Sequence, residues 1–448
     1  MIYKMEKTIK QVFTTCSIFW TFFSESILYL LFHDYTSYIK RLTIHLARHN
    51  ILYVKMFQAI ASNHSWIDEK TNNELLNFTD HAPWTYDEIR LYELIELTNV
   101  YDFILPDGYE CPINSGMISI VFKAYRRSDN LPVIIKMKRK NIEMKLNDSI
   151  DNLKTLLYML SFIPFFNKYQ IAEVIDKNIS IIRHQINFEK EVENMLKMKE
   201  NCKHLKYIKI PDVFEEVTQK YPDFIMMDYI DGMKINELKE EDYIEFAKQV
   251  IKFGFITTIV HGVVHGDLHS GNILFIKDDN DEKYPYKIGV IDFGIIFELT
   301  NNYKDTLFDF FTQIFERSPR ESVIQLLNSV IIENPDSIKQ IPEQDYENII
   351  QIGSEIFEET IHQSNVSQIQ LYKFLSKIYE YLNKKEVANL GIKPSDQFIK
   401  TQMVLAMAHG VTLTLCKDKI LTIMDNVLNE LFHTNLLFYP PLTTLVKG

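Results

Sequence analysis

The stretch from His265 to Gly294, HGDLHSGNILFIKDDNDEKYPYKIGVIDFG, restricts the possible folds more tightly than any other part of the chain. Asp267 and Asp292 stand near its ends, with Asn272 between them. Two short apolar runs, Ile273 to Ile276 and Lys287 to Ile291, read as strands, and the polar DDNDEKYPY segment reads as a hairpin loop. A hairpin returns the chain beside its start. It therefore brings Asn272, just before the first strand, next to Asp292, just after the second. Asp267 precedes Asn272 on the same loop. Such a set of hard oxygen donors suits phosphoryl transfer, where catalysis is mostly positioning and charge neutralisation. Mg²⁺ binds through one or two protein side chains plus phosphate oxygens, and Asn272 and Asp292 supply such side chains. Asp267 is then left to orient or deprotonate an acceptor hydroxyl. A lone D-F-G is weak; D-x-x-x-x-N followed by a hairpin and D-F-G is strong. The alternative is a polar hairpin with incidental acids.

With 448 residues, the chain is long enough for two to three domains or one bilobal domain with extensions. Its net charge of −12 argues against nucleic-acid binding by bulk electrostatics. Cys16, Cys111, Cys202 and Cys416 are widely scattered, with no C-x-x-C pair. Neither a zinc site nor a disulfide framework is suggested, and a reducing, intracellular compartment fits. The most apolar N-terminal segment, Gln11 to Phe32, is interrupted by Glu25 and is borderline for a membrane span, which needs about 20 mostly apolar residues. Three readings stay open: a buried or surface-docked helix, a membrane-associated helix, and a signal or transit segment. No small-residue cleavage site stands out.

Residues 1 to about 50 and Asn50 to Thr79 read as helical, and Pro83 ends that region. Tyr86 to Leu97 is a further helix candidate. Ile118 to Tyr125 and Pro132 to Met137 read as strands joined by the turn RRSDN. Lys136 sits inside the second, an unusual place for a lysine. It either reaches into a cleft toward phosphate or snorkels to solvent from an edge strand. Asp148 to Lys168 and Asn187 to Asn201 are amphipathic helix candidates. Glu191 on the second is a candidate partner for Lys136, against the alternative of a solvated helix charge. Pro211 to Val217 and Asp223 to Asp228 read as strands, and Asp231-Gly232 as a hinge-like turn. Adenine would then bond to the backbone of Asp228, Tyr229 and Ile230. Glu241 to His261 reads as a long helix, and beyond Gly294 the chain reads as helical.

This order resembles the protein-kinase-like fold, and HGDLHSGN is similar to its atypical branch. The best resemblance is to the UbiB (ABC1/ADCK) family, over about residues 45 to 300. PINSGMISIVFKAYR is similar to that family's Ala-rich loop, VIIKMKRKNI to its lysine strand, and FEKEVENMLKMKEN to its F-x-x-E-x-x-N helix. YVKMFQAIAS resembles its K-x-G-Q extension. The resemblance implies an α+β, bilobal protein-kinase-like fold, with an N-terminal helical extension over the small lobe and a helical C-terminal lobe. The expected divisions are 1–100, 101–230 and 231–448. Lys136 would hold the α- and β-phosphates of ATP, with Glu191 as its ion-pair partner. Gly116, Met117 and Ile118 would line the phosphates, Asp267 would be the catalytic-loop aspartate, and Asn272 and Asp292 would hold Mg²⁺ between the lobes. Lys55 and Gln58 would belong to a regulatory helix that folds over the site. Phe57 stands where the family carries glycine, Asn114-Ser115-Gly116-Met117 where it carries an Ala-rich loop, and Gln185 and Asn187 where it carries two acids. Gly and Asn there tolerate positive φ and tight turns. The resemblance implies an ATP-dependent kinase or ATPase acting on a small or lipid-linked acceptor, tied to isoprenoid-quinone or other lipid metabolism, with membrane contact open. Two other readings are a catalytically silent nucleotide-binding scaffold and a small-molecule kinase of the aminoglycoside or choline type.

Overall fold

The computed structural model describes residues 2–34, 84–106, 108–160, 185–313, 317–329, 331–362, 371–382 and 384–416, with isolated positions besides. The chain divides into two compact units. The first comprises Met1–Glu193 and Pro211–Tyr229, the second Asn194–Ile210 and Ile230–Gly448. In chain order the strands are β1 (Phe103–Ile104), β2 (Asn114–Ser115), β3 (Ser119–Arg126), β4 (Pro132–Lys138), β5 (Ile208–Lys209) and β6 (Phe224–Asp228). They are followed by β7 (Val263–His265), β8 (Ile273–Lys277), β9 (Tyr286–Val290) and β10 (Ile296–Glu298).

The first unit is built on one antiparallel sheet, ordered β1-β3-β4-β6 with β2 on β3. Side chains alternate across a strand. Ile120, Phe122 and Ala124 of β3 therefore share a buried face with Val133, Ile135 and Met137 of β4. Leu94 and Leu97 of α2 (Leu91–Val100) cover that face. The opposite parity carries Lys136, registered against Val121 and Ile225. Helix α3 (Ile142–Leu160) begins earlier than the sequence pattern implies, and buries Leu146, Ile150 and Leu153.

Helix α1 (Ile2–Phe32) is turned inside out. Among its described side chains Ile18, Thr21 and Glu25 are buried, at helical spacing, while Trp20, Phe23, Ile27, Leu30 and Leu31 are exposed. Glu25 meets Arg41 at 2.8 Å and His45 at 3.1 Å. That ion pairing explains how an acid sits in the apolar segment. Among the described residues, no helix is long and apolar enough to cross a membrane.

One expected strand is absent. Residues 211–217 touch the sheet at a single bridge, Val213 to Met227, and then enter helix α5 (Glu215–Lys220). Val213, Phe214 and Val217 have the spacing of a helical face, not of a strand. Val217 is buried, and the Thr218 hydroxyl donates to Phe224 O at 2.8 Å.

In the second unit, β8 and β9 form the antiparallel hairpin, and β5 adds to β9 in parallel. That pairing, Ile208 with Ile288 and Lys209 with Gly289, ties residues 194–210 to this unit. β7 pairs antiparallel with β10. Helix α4 (Phe188–Cys202) starts in the first unit and ends in the second. Helix α6 (Tyr243–Phe255) continues as a π-turn, Ile256–His261, directly ahead of β7. The Thr257 and Thr258 hydroxyls donate to the carbonyls of Phe253 and Gly254, at 2.8 and 2.7 Å. Gly262, at φ 65°, ends the turn in the left-handed region. Helices α7 (Asn301–Thr312), α8 (Pro319–Ser329), α9 (Glu343–Phe357), α10 (Leu371–Leu382), α11 (Lys385–Asn389) and α12 (Asp396–Cys416) follow.

Candidate active site

The candidate groups fall into two half-sites, one in each unit. In the first, Lys136 Nζ donates to Glu191 Oε1 at 2.6 Å, with both residues buried. The ring of Phe188 lies 5.7 Å from the same ammonium. Parity on β4 turns Lys136 off the core face, and the first turn of α4 brings Glu191 to it. Asn187, one of the positions lacking the family's acids, caps that helix: its Oδ1 accepts from Lys190 N at 3.0 Å. A cap is a role that asparagine fills as well as aspartate.

Gly116 to Ile118 form the tip between β2 and β3, closed by Gly116 N donating to Ser119 O at 2.9 Å. Neither Asn114 nor Gly116 adopts positive φ. A β-carbon at Gly116 would meet nothing nearer than 3.8 Å. Of the two conformations that Gly and Asn tolerate there, tight turns and positive φ, the tip uses the tight turn. At the end of β6, Asp228 N donates to Asp212 O at 2.8 Å and Tyr229 N to Pro132 O at 3.4 Å. Two of the amide N–H groups expected to face adenine are thus already engaged within the first unit.

The second half-site is the loop between β7 and β8 together with the turn after β9. The hairpin register pairs Ile273 with Val290, and Ile291 N donates to Asn272 O at 3.2 Å. Asn272 and the Ile291–Asp292 turn are therefore neighbours. Asn272 Nδ2 donates to Asp267 O at 2.8 Å, which anchors the amide by its nitrogen end. Asp292 Oδ1 accepts from Gly294 N at 3.0 Å.

Sequence reasoning passed over three residues that shape this half-site. His265 is fully buried; its Nδ1 accepts from Asp267 N at 3.2 Å, so its Nε2 carries the proton and donates to Asp292 O at 2.5 Å. One imidazole thus ties the aspartate loop to the D-F-G turn. Burial pushes its pKa down, against the pull of the Asp292 carbonyl and the nearby carboxylates. Asn194 Nδ2 donates to Phe293 O at 3.0 Å and holds the same turn from α4. His269 Nδ1 accepts from Gly271 N at 3.1 Å, and its Nε2 lies 4.0 Å from Asp267 Oδ2. The two histidines were legible as part of HGDLH and Asn194 as part of F-x-x-E-x-x-N; their bonds were not.

Lys55, Phe57 and Gln58 lie outside the described residues. Among the described residues, no group of three or more His, Cys, Asp or Glu side chains could hold a metal ion. Mg²⁺ bound with a nucleotide needs fewer protein ligands, because phosphate and water complete its shell. An amide oxygen and a carboxylate on adjoining turns, Asn272 and Asp292, have the hard-donor chemistry for that ion. The arrangement can therefore place a cation beside an aspartate-bearing loop in one unit, and an ammonium oriented by a carboxylate in the other.

The ABC1 atypical kinase-like domain matches residues 82–326. The "Probable serine/threonine-protein kinase abkB" of Dictyostelium discoideum is 26% identical over 270 residues, covering 56% of this chain and 38% of that protein. The "Probable protein kinase UbiB" of Shewanella sp. (strain W3-18-1) is 27% identical over 274 residues, covering 59% of this chain and 49% of that protein. The chain thus spans about half the length, or less, of these curated relatives. Among solved structures, it is similar to the Rv3197–erythromycin complex from Mycobacterium tuberculosis, with a TM-score of 0.46 and 15% identity over 83% of this chain and 90% of that one. The family match extends over more than half of the 448 residues, and the α+β elements follow the kinase-like order. The chain belongs to the ABC1 atypical kinase-like family.

Proposed function

We propose that this chain is a Mg²⁺- and ATP-dependent phosphotransferase or ATPase. The buried Lys136–Glu191 pair, at 2.6 Å, carries the reading. A buried ion pair is seldom more stabilising than apolar residues of the same volume, so stability alone is a poor reason to keep one. An ammonium oriented by a helix carboxylate is what phosphate binding in kinases uses. In this reading Lys136 holds the α- and β-phosphates, and the Gly116, Met117 and Ile118 tip lines them through the amides of the last two, since the Gly116 amide bonds to Ser119 O. The backbone of Asp228, Tyr229 and Ile230 borders the base, chiefly through carbonyls, since two of the amides are engaged. Asn272 and Asp292 hold Mg²⁺, which when bound neutralises phosphate charge. Asp267 orients or deprotonates the acceptor hydroxyl. Residues 1–100, with Lys55 and Gln58, control access. The acceptor is a small or lipid-linked molecule of isoprenoid-quinone or related lipid metabolism.

The test is ATP hydrolysis in detergent and in liposomes, comparing the chain with Asp292→Asn. The expected loss is roughly a hundredfold or more, the scale of removing a preorganised charge-stabilising group. Equal rates would end the enzyme reading. Nucleotide binding without turnover would favour a scaffold.

A peripheral membrane contact belongs to the same proposal. Helix α1 exposes Trp20 (68%), Phe23 (59%), Leu30 (66%) and Leu31 (67%) along one side, while the Glu25 carboxylate faces inward. The sequence places Lys4, Lys7 and Lys10 at the start of the same helix. Aromatic residues with a basic end suit the headgroup boundary of an anionic bilayer. Sedimentation with anionic vesicles should retain the chain and release the variant Trp20→Ser/Phe23→Ser/Leu31→Ser; equal retention of both would remove α1 as the contact.

A further inference from the structure

A buried cluster in the first unit has no part in the roles assigned so far. Arg139 follows the lysine strand and is 3% exposed. Its Nε donates to Gly116 O at 3.0 Å, and its backbone N donates to Ile118 O at 2.8 Å. Its Nη2 donates to Ser115 Oγ at 2.7 Å and to Ala82 O at 3.3 Å. Its Nη1 meets Glu88 Oε2 at 2.7 Å, and Lys145 Nζ takes the other oxygen of Glu88 at 2.6 Å. The chain entering at Ala82 is clasped to the same place. Ala82 N donates to Ser115 O, and Ser115 Oγ donates to Ala82 O, each at 2.8 Å.

The consequence follows from peptide geometry. In a planar trans peptide the N–H points opposite to the preceding C=O. With the Gly116 carbonyl drawn onto the guanidinium, the N–H of Met117 is aimed away from it. The guanidinium's fixed fork makes this a matter of direction as well as charge, which an ammonium cannot reproduce. Arg139 and Lys145 both pair with Glu88, which seats the guanidinium beneath the loop. An amide so aimed favours an anion at the loop tip.

We propose that Arg139, seated by Glu88 and Ser115, is a positioning residue that shapes the Gly116–Ile118 loop to receive the phosphates of a nucleotide. It does not touch the nucleotide itself. The assignment rests on the nucleotide reading given above. It also makes Ala82 the point where the segment from the N-terminal extension is coupled to the phosphate loop.

The full chain, Arg139→Lys and Ser115→Ala are titrated with Mg-ATP and with adenosine, and amide exchange is followed over residues 114–120. Arg139→Lys keeps the charge and loses the fork. It should bind Mg-ATP at least tenfold more weakly and adenosine as the parent does, with faster exchange in the loop. Ser115→Ala should show the same split more weakly, and it carries the test where Arg139→Lys does not fold. Equal losses for Mg-ATP and adenosine would reduce Arg139 to a structural role and overturn the proposal. Faster loop exchange with unchanged Mg-ATP affinity would overturn it too. A parent chain that binds adenosine but gains nothing from the phosphates would overturn the proposal together with the nucleotide reading, and the parent titration alone reveals that case.

Discussion

A β-carbon at Gly266 would lie 2.5 Å from both Ile295 Cγ2 and Phe297 Cε2. Gly266 N also donates to Ile295 O at 2.8 Å, so the loop cannot move off β10 without losing that bond. Gly266→Ala should therefore destabilise by about 1–3 kcal/mol, the usual cost of overpacking, and weaken Mg-ATP binding. Urea unfolding with a nucleotide titration checks this. For the unfolding arm alone, Gly116→Ala is the control, since its β-carbon has room and its φ suits alanine; its stability should be unchanged or slightly raised. His265 gives the loop a pH limit. Its burial lowers the folded pKa below the usual 6.5, so the neutral ring is the stabilised form. The contribution is fully present above that usual value and is lost as pH falls through the lower folded one. Protonation puts a hydrogen on Nδ1, directly against the Asp267 N–H that it now accepts. Amide exchange over residues 265–268 should accelerate, beyond its intrinsic pH dependence, as pH drops below about 6. A profile that follows the intrinsic dependence would remove His265 as the fastening.

The hairpin that carries the second half-site is fixed from below. Asp242, buried at the start of α6, accepts from Lys277 Nζ of β8 at 2.8 Å and from Tyr286 OH of β9 at 2.9 Å. Burial alone would raise its pKa, but those two hydrogen bonds and the Lys277 charge outweigh it and hold the carboxyl below 3.8. A depressed carboxylate contributes stability above its unfolded pKa, and that contribution is lost as pH falls through the folded value. Asp242→Asn should therefore lower thermal stability at neutral pH and flatten its decline below about pH 4. An unchanged acid limb would show that Asp242 does not anchor the hairpin. Elements like this one were legible because their signals are local: short apolar, β-branched runs in β3, β4, β8 and β9, and polar turn residues between the last two. Residues 213–217 were misread because a bridge and a helix start share a short apolar run. The pairing of β7 with β10 and the Arg139–Glu88 contact join residues distant in the chain. No local period announces such contacts. Nor does any propensity announce the π-turn before β7, where threonine hydroxyls bond back to the helix. In the site, residue types and order were readable. Which hydrogen each group donates, and to whom, was not.

Lys136 and Glu191 belong to one compact unit, and Asp267, Asn272 and Asp292 to the other. The proposed function requires both sets to serve one nucleotide, and binding stoichiometry tests that requirement. A calorimetric titration with Mg-ATP should give a single event per chain, and Lys136→Met and Asp292→Asn should each weaken that same event. Methionine fits the volume of the lysine and avoids stranding an ammonium, although the Glu191 carboxylate left behind still costs about 3–5 kcal/mol by the measure of broken buried pairs. Folding of that variant is therefore checked first, with Lys136→Met/Glu191→Leu as its apolar replacement. Chelating the metal separates the two contributions. With EDTA present, Asp292→Asn should bind ATP no worse than the parent, because a residue that acts through Mg²⁺ has nothing to add without it. Lys136→Met should remain weaker, because its ammonium acts on phosphate directly. Free nucleotide at a hundred times its dissociation constant should also add about 2.7 kcal/mol of stability, and in a two-step melt both transitions should rise. Two independent binding events, each removed by one substitution, would mean that the half-sites serve different ligands, and the phosphotransfer reading would fail there.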